Sequence, residues 1–163
     1  MSTMPRQKPH QSEQVVGTPP EFLASVVKRF GLLNVDLAAN IDNRVTERFL
    51  GPGSVLGQDS LSFDWAKLRI DGDWMWLNPP FSDIAPWAEK CAAESARGAK
   101  ILMLTPASIG SNWFRDHVHR KAYVLAIPRL TFVGHASAYP KDLILSVYAD
   151  GLTGFDTWDW RCA

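Results

Sequence analysis

Apolar residues recur along this chain at two spacings, and the alternation between them lays out most of its elements. Phe22, Leu23, Val26, Val27 and Phe30 fall three and four apart, the stripe of a helix that buries one face. Thr18-Pro19-Pro20 is a start signal for that helix, with Thr18 as the expected N-cap, and Gly31 is a stop. Ile84, Trp87, Ala88, Cys91 and Ala92 make a second stripe, expected to be capped by Ser82 or Asp83 and closed at Gly98. Short apolar runs over 33–37, 74–77, 100–105, 122–127 and 143–148 read as strands, and residues 111–119 as a short helix. Residues 46–50 are predicted helical, with a turn at Gly51-Pro52-Gly53. Strands separated by helix-length segments define an α/β fold, a mostly parallel sheet with helices on both faces.

Residues 1–17 show no periodic apolar pattern and are expected to form a flexible arm, leaving 18–163 as a single domain. At 46% hydrophobic and 21% charged, the 163 residues have the composition of a soluble protein with a real core. No stretch approaches the roughly 18 uninterrupted apolar residues of a membrane span, and the polar start lacks the apolar core of a signal peptide. Cys91 and Cys162 are too few and too far apart for a disulfide framework, so a reducing, cytoplasmic setting is expected. His117 and His119 would not face one ligand from a helix, and no metal site is expected. The 17 basic residues balance 17 acidic ones, so net charge offers no argument for a nucleic-acid partner.

The chemistry concentrates in Asn78-Pro79-Pro80-Phe81, which follows one apolar strand and precedes a helix. Ligands of open α/β sheets bind at the carboxyl ends of strands. Two prolines fix the turn and remove two backbone donors, leaving carbonyl acceptors beside the Asn78 side-chain oxygen and the Phe81 ring. Such a turn suits a planar amino group. Its nitrogen is a weak nucleophile, and hydrogen bonds from both of its hydrogens to Asn78 and the Pro79 carbonyl would favour attack on a methyl group. The same tetrapeptide is also compatible with a purely structural turn.

Asn78-Pro79-Pro80-Phe81 resembles motif IV of the amino-methyltransferases, and the wider chain is similar to the Dam-like adenine-N6 DNA methyltransferases of phages and prophages. Val35-Asp36-Leu37-Ala38-Ala39-Asn40, Asp59-Ser60-Leu61, Thr105-Pro106-Ala107, Trp113-Phe114 and Arg129-Leu130-Thr131-Phe132 extend the likeness in order across about residues 18–148. The resemblance implies a compact, Rossmann-like sheet that uses S-adenosylmethionine, with double-stranded DNA as partner and a bacterial host cell as setting. It places Thr18 and Pro19 against the methionine end of the cofactor, Asp36 near its amino group, and Asp59 on the adenosine side. Asn78, Pro79, Pro80 and Phe81 would hold the target adenine.

Elementary chemistry agrees, because a sulfonium, an ammonium and a ribose diol all favour carboxylates, and the small Ala38-Ala39 pair lets backbone approach the cofactor. Thr18 is equally readable as a helix cap, and Asp36 and Asp59 as cap or turn residues. The glycine-rich loop of many methyltransferases is absent, and Asp42 and Asn43 are the only candidates for a ribose-binding polar residue. No insertion is large enough for a separate target-recognition domain. Base recognition then falls to the arm and to residues 128–142, with Arg129, His135, Tyr139 and Lys141, or else that loop is simply solvated. Trp65, Trp74, Trp76 and Trp87 read as core packing, whereas Trp113 is placed to line a substrate pocket. Two rival readings remain: the same chemistry on an RNA adenine or a protein glutamine, and a catalytically silent DNA-binding module.

Overall fold

The computed structural model describes residues 17–162, so the expected arm over 1–17 lies outside them except for Gly17. The elements run α1 (Pro20–Phe30), β1 (Leu33–Asp36), a 3-10 turn (Trp65–Leu68), β2 (Trp74–Leu77), α2 (Ala85–Ala96), β3 (Ile101–Pro106) and α3 (Asn112–His117). Then come β4 (Tyr123–Ile127), β5 (Leu143–Tyr148), β6 (Gly154–Thr157) and a final 3-10 turn (Trp160–Cys162). The six strands form one mixed sheet in the order β1-β2-β3-β5-β4-β6. β1–β2, β2–β3 and β4–β6 pair in parallel, while β5 runs antiparallel to both β3 and β4.

Alternation along the central strands sorts the core into two layers. Met75, Leu77, Ile101 and Met103 point to one face, where they meet Ala88 and Cys91 of α2 and, at its rim, Trp113 and Phe114 of α3. Trp74, Trp76, Leu102 and Leu104 point to the other, where Phe22 and Val26 of α1 cover them. The strands are buried on both sides, which is why their sequences are continuous apolar runs instead of alternating ones.

Local structure departs from the expected pattern at four places. Pro19, not Thr18, caps α1: its carbonyl accepts from the Leu23 amide at 3.1 Å, and no side chain caps the helix. Pro20 at the first helical position requires an extended residue before it, and Pro19 fills that role, so Thr18 falls one position outside. Ser82 and Asp83 do not cap α2, which begins beyond Ile84 without a side-chain cap. They belong to a turn closed by the Asp83 amide on the Pro80 carbonyl at 3.3 Å, and Pro86, lacking an N–H, fits only the first helical turn.

Residues 46–50 are not helical: 46–48 bend, and Phe49 makes a single bridge to Asp36. β1 is an edge strand whose outer N–H and C=O need partners. The Asp36 amide donates to the Arg48 carbonyl at 2.9 Å, and the Leu50 amide donates to the Asp36 carbonyl at 2.8 Å, as a one-bridge parallel extension of the sheet. The fourth departure is β6, an edge strand whose residues are all exposed and so leave no apolar signature in the sequence. α3 keeps its expected start: Ser111 Oγ accepts from the Phe114 amide at 3.3 Å.

Candidate active site

Because β1, β2, β3 and β4 run in one direction, the segments that follow them collect at one rim of the sheet. A cleft of about 1270 Å³ opens there. That is more than a single drug-sized ligand occupies, roughly 300–1,000 Å³, so it can accommodate two molecules side by side. Thr18, Asp36, Ala38, Ala39 and Asp59 line one part of it, and Asn78, Pro79, Pro80 and Phe81 another. His135 and Tyr139 line it from the loop between β4 and β5. Trp113 and Lys141 instead line a smaller neighbouring hollow of about 250 Å³, which shares Phe81 and Tyr139 with the cleft. Pro19 is buried behind the wall, and Arg129 is exposed at the base of the loop, where it pairs with Asp142 at 3.2 Å.

Asp36 ends β1 with only 3% of its surface exposed. Oδ1 accepts from the Ala38 amide at 3.2 Å and Oδ2 from the Val45 amide at 3.0 Å. Burial pushes its carboxyl up to about 6, against the smaller opposing pull of the Val45 and Ala38 amides. None of the ion pairs among the described residues includes it. A buried carboxylate held by amides alone gains most from a cationic ligand.

Trp76 pairs with Asp36 across the parallel ladder, so both side chains stand on the same face of the sheet. Its indole Nε1 is buried and has no hydrogen-bond partner, and the residue lines the cleft. An orphaned buried donor is uncommon. Ring and carboxylate thus stand side by side under the cleft, with the indole N–H itself buried.

Asn78 stands where β2 ends. Its Nδ2 donates to Thr18 Oγ1 at 3.4 Å, which turns Oδ1 to the opposite side of the amide. Thr18 is 5% exposed, so this contact is shielded from water. Phe81 is half-buried and meets Phe132 and Tyr139 edge-to-face, with ring centroids 6.2 and 5.5 Å away. Phe132 and Tyr139 meet each other at 5.8 Å. This trio joins the turn after β2 to the loop after β4. The Val133 amide then donates to the Gly17 carbonyl at 3.0 Å, tying that loop to the chain just before Thr18.

Asp59 is exposed, and its carboxylate accepts from Ser62 Oγ at 2.6 Å, a bond that lowers its pKa. It serves as a turn residue and faces the cleft as well. Asn43 lines the cleft while Asp42 does not; Asn43 Oδ1 accepts from the Asn40 amide at 2.8 Å. Val45 and Gln58 line the wall without having been singled out from the sequence, and Asn40, Ser60 and Leu61 had been noted only as part of the family resemblance. Gly51 was read only as a turn: with φ +137, a Cβ on it would stand 1.9 Å from the Ala39 carbonyl oxygen. Trp87, assigned to the core, is half-buried and also reaches the cleft. Among the described residues no helix is long and apolar enough to cross a membrane, and no group of three or more His, Cys, Asp or Glu is placed to hold a metal ion.

An α/β sheet with a polar cleft at its carboxyl rim, an Asn-Pro-Pro-Phe turn on one wall and a buried carboxylate on the other is the setting in which the chain's relationships become informative. The family described as DNA N-6-adenine-methyltransferase (Dam) matches residues 6–142, and the chain belongs to it. It is 29% identical over 110 residues to a DNA N-6-adenine-methyltransferase of Escherichia phage T1, a match covering 68% of this chain and 43% of that protein. The aligned part thus spans under half the length of that relative.

Proposed function

We propose that the protein methylates the N6 amino group of adenine in double-stranded DNA, using S-adenosylmethionine and taking the target base out of the helix. The single observation that carries this reading is the Asn78 amide. Its Nδ2 meets Thr18 Oγ1, which leaves Oδ1 as the end of the amide without that contact, in a residue that lines the same cleft as Asp36.

The residues fit the cofactor's methionine end. Asp36 supplies the carboxylate for an ammonium, with Trp76 beside it in the wall. Ala38 and Ala39 keep the wall low, and Asp59 or Asn43 can take a hydroxyl. When bound, S-adenosylmethionine supplies an electrophilic methyl group. Asn78 Oδ1 and the Pro79 carbonyl would accept the two hydrogens of the adenine amine, localise its lone pair on nitrogen, and draw off positive charge as that nitrogen takes the methyl group, the sulfur keeping the electron pair of the S–C bond it loses and the surplus amine proton passing to water. The aromatic trio of Phe81, Phe132 and Tyr139 offers apolar surface to the extruded ring. The sheet, with helices on either face and the site at its carboxyl rim, is of the Rossmann-like type.

The test is transfer of isotopically labelled methyl groups to duplex DNA, to RNA and to glutamine-containing peptides, followed by sequencing that detects N6-methyladenine. Label in duplex DNA at a fixed sequence supports the reading. Label in RNA or peptide alone would move the chemistry to another acceptor, and cofactor binding without transfer would favour a silent DNA-binding module.

A further inference from the structure

The turn that follows β3 carries an exposed apolar residue beside the target-side hollow. Pro106 and Ser108 line that hollow with Phe81, and Trp113 lines it from α3. Ile109 is the next residue, 64% exposed. The turn beneath it is pinned on both sides. The Ala107 amide donates to the Asp142 carbonyl at 2.8 Å, and the Ser108 carbonyl accepts from the Ser111 amide at 3.0 Å and from Ser111 Oγ at 2.6 Å. Ser111 in turn caps α3. Ile109 and Gly110 are therefore the tip of a closed, rigid turn that projects a β-branched side chain into solvent.

Other exposed apolar residues are placed differently. Val133, 56% exposed, lies across the bridge to Gly17. Ile41 and Val55 belong to the segment after β1, and neither lines the cleft or the hollow.

Turning a base out of a duplex leaves a gap in the stack, and a stiff apolar side chain is suited to fill it. We infer that Ile109 enters the base stack as a wedge beside the extruded adenine. The inference rests on the proposed action on duplex DNA and adds a residue that acts on the neighbouring base pairs, not on the amine. Ile109 is a positioning residue: it holds the duplex open while Asn78 and Phe81 engage the base. Rigidity matters here, because a side chain that already stands in position loses little freedom when it inserts.

The experiment compares wild type, Ile109→Ser and Ile109→Leu on two duplexes, one with the target adenine paired to thymine and one with an abasic site opposite it. Unstacking is easier in the second, so a wedge matters less there. Ile109→Ser should lower kcat/KM about ten- to a hundredfold on the paired duplex, the range expected for losing one buried apolar side chain. It should stay within about threefold of wild type on the abasic duplex, a difference well under one decade. Ile109→Leu should keep most activity on both, and cofactor affinity by calorimetry should be the same in all three. Equal activity of Ile109→Ser and wild type on the paired duplex would overturn the wedge, as would an equal loss on both duplexes. If wild type methylates neither duplex, the proposed function itself fails, and the wedge with it.

Discussion

Asn78 and Thr18, sixty residues apart in sequence, are joined by a hydrogen bond from Nδ2 to Oγ1 at 3.4 Å. The bond explains why a threonine stands before α1 without capping it. Thr18 ties the Asn78 amide to the chain entering α1, and both residues line the cleft.

Asn78→Ala should therefore lower turnover by about two to three orders of magnitude, the usual effect of removing a transition-state acceptor or donor. Thr18→Val keeps the shape and removes the hydroxyl, so it should lower turnover less while leaving a measurable loss. Cofactor affinity should stay within a few-fold for Asn78→Ala, since Asp36 is untouched. Single-turnover methylation and calorimetry measure the two quantities separately, and near-normal turnover in Asn78→Ala would make the turn structural.

The buried carboxyl of Asp36 has opposite effects on fold and ligand. Its pKa is about 6 in the folded protein against 3.8 ordinarily, so between those values the folded state holds more protons than the unfolded one. Stability should then fall as pH rises from about 4 to about 6, with the full penalty of about 3 kcal/mol present at pH 7. Cofactor affinity should run the other way, weakening as pH drops through 6, because a protonated Asp36 no longer attracts an ammonium. Asp36→Asn should flatten both dependences, and Asp36→Ala should weaken S-adenosylmethionine binding at least tenfold at neutral pH, equivalent to a lost charged hydrogen bond of about 1.5–3 kcal/mol. Denaturant melts from about pH 4 to 8 and calorimetry across pH 6 decide it, and a pH-independent affinity would remove Asp36 from the cofactor site.

Phe81 is positioned between packing and binding. Its edge contacts to Phe132 and Tyr139 predict that Phe81→Ala loosens the loop over 128–142 as well as removing a surface for the base. The expected loss in kcat/KM is about 5- to 150-fold, from stacking worth about 1–3 kcal/mol. Phe81→Tyr should retain most activity and Phe81→Leu should fall between. The check is the fluorescence of a duplex carrying 2-aminopurine at the target, which should change on binding to wild type and change less with Phe81→Ala. Equal activity of Phe81→Leu and Phe81→Tyr without any fluorescence change would assign the ring to packing alone.

Gly51→Ala should be among the most damaging small substitutions in the wall of the cleft. The new methyl would meet the Ala39 carbonyl oxygen at 1.9 Å, and φ +137 is a conformation that only glycine adopts easily. Strain of about 1–3 kcal/mol from the backbone alone should lower the melting temperature and displace Ala39 from the cofactor side. A variant that melts like wild type and binds cofactor normally would contradict the close approach.

β2 to β5 were legible because strands buried on both faces are written as nearly unbroken apolar runs, and β1, Leu-Asn-Val-Asp, as an apolar-polar alternation at the sheet edge. The Asn-Pro-Pro-Phe turn was legible because its residues are rare together and follow such a run. β6 left no trace, since Gly154, Phe155, Asp156 and Thr157 are all exposed. Residues 46–50 were misread because their structure answers to the unpaired edge of β1, a demand made by another segment and invisible in their own pattern. Trp76 and Trp87 were taken for core alone, yet a large ring can pack with one edge and line a cleft with another. The contact between Thr18 and Asn78 could not be read from spacing, because only the folded sheet brings them together.

The reversed strand β5 has a consequence for how the loop before it can vary. Ile127 and Leu143 are partners in the ladder between β4 and β5, so the chain leaves the sheet and re-enters it at neighbouring points on the same rim. A loop whose two ends are already fixed side by side can grow cheaply: doubling its length costs only about 0.6 kcal/mol in closure entropy. The side of the cleft that this loop lines is thus free to vary in length on an unchanging frame. Residues 134–138 are all exposed, so an insert there would leave in place Leu130 and Phe132, which belong to the core, and Tyr139, which packs on Phe81.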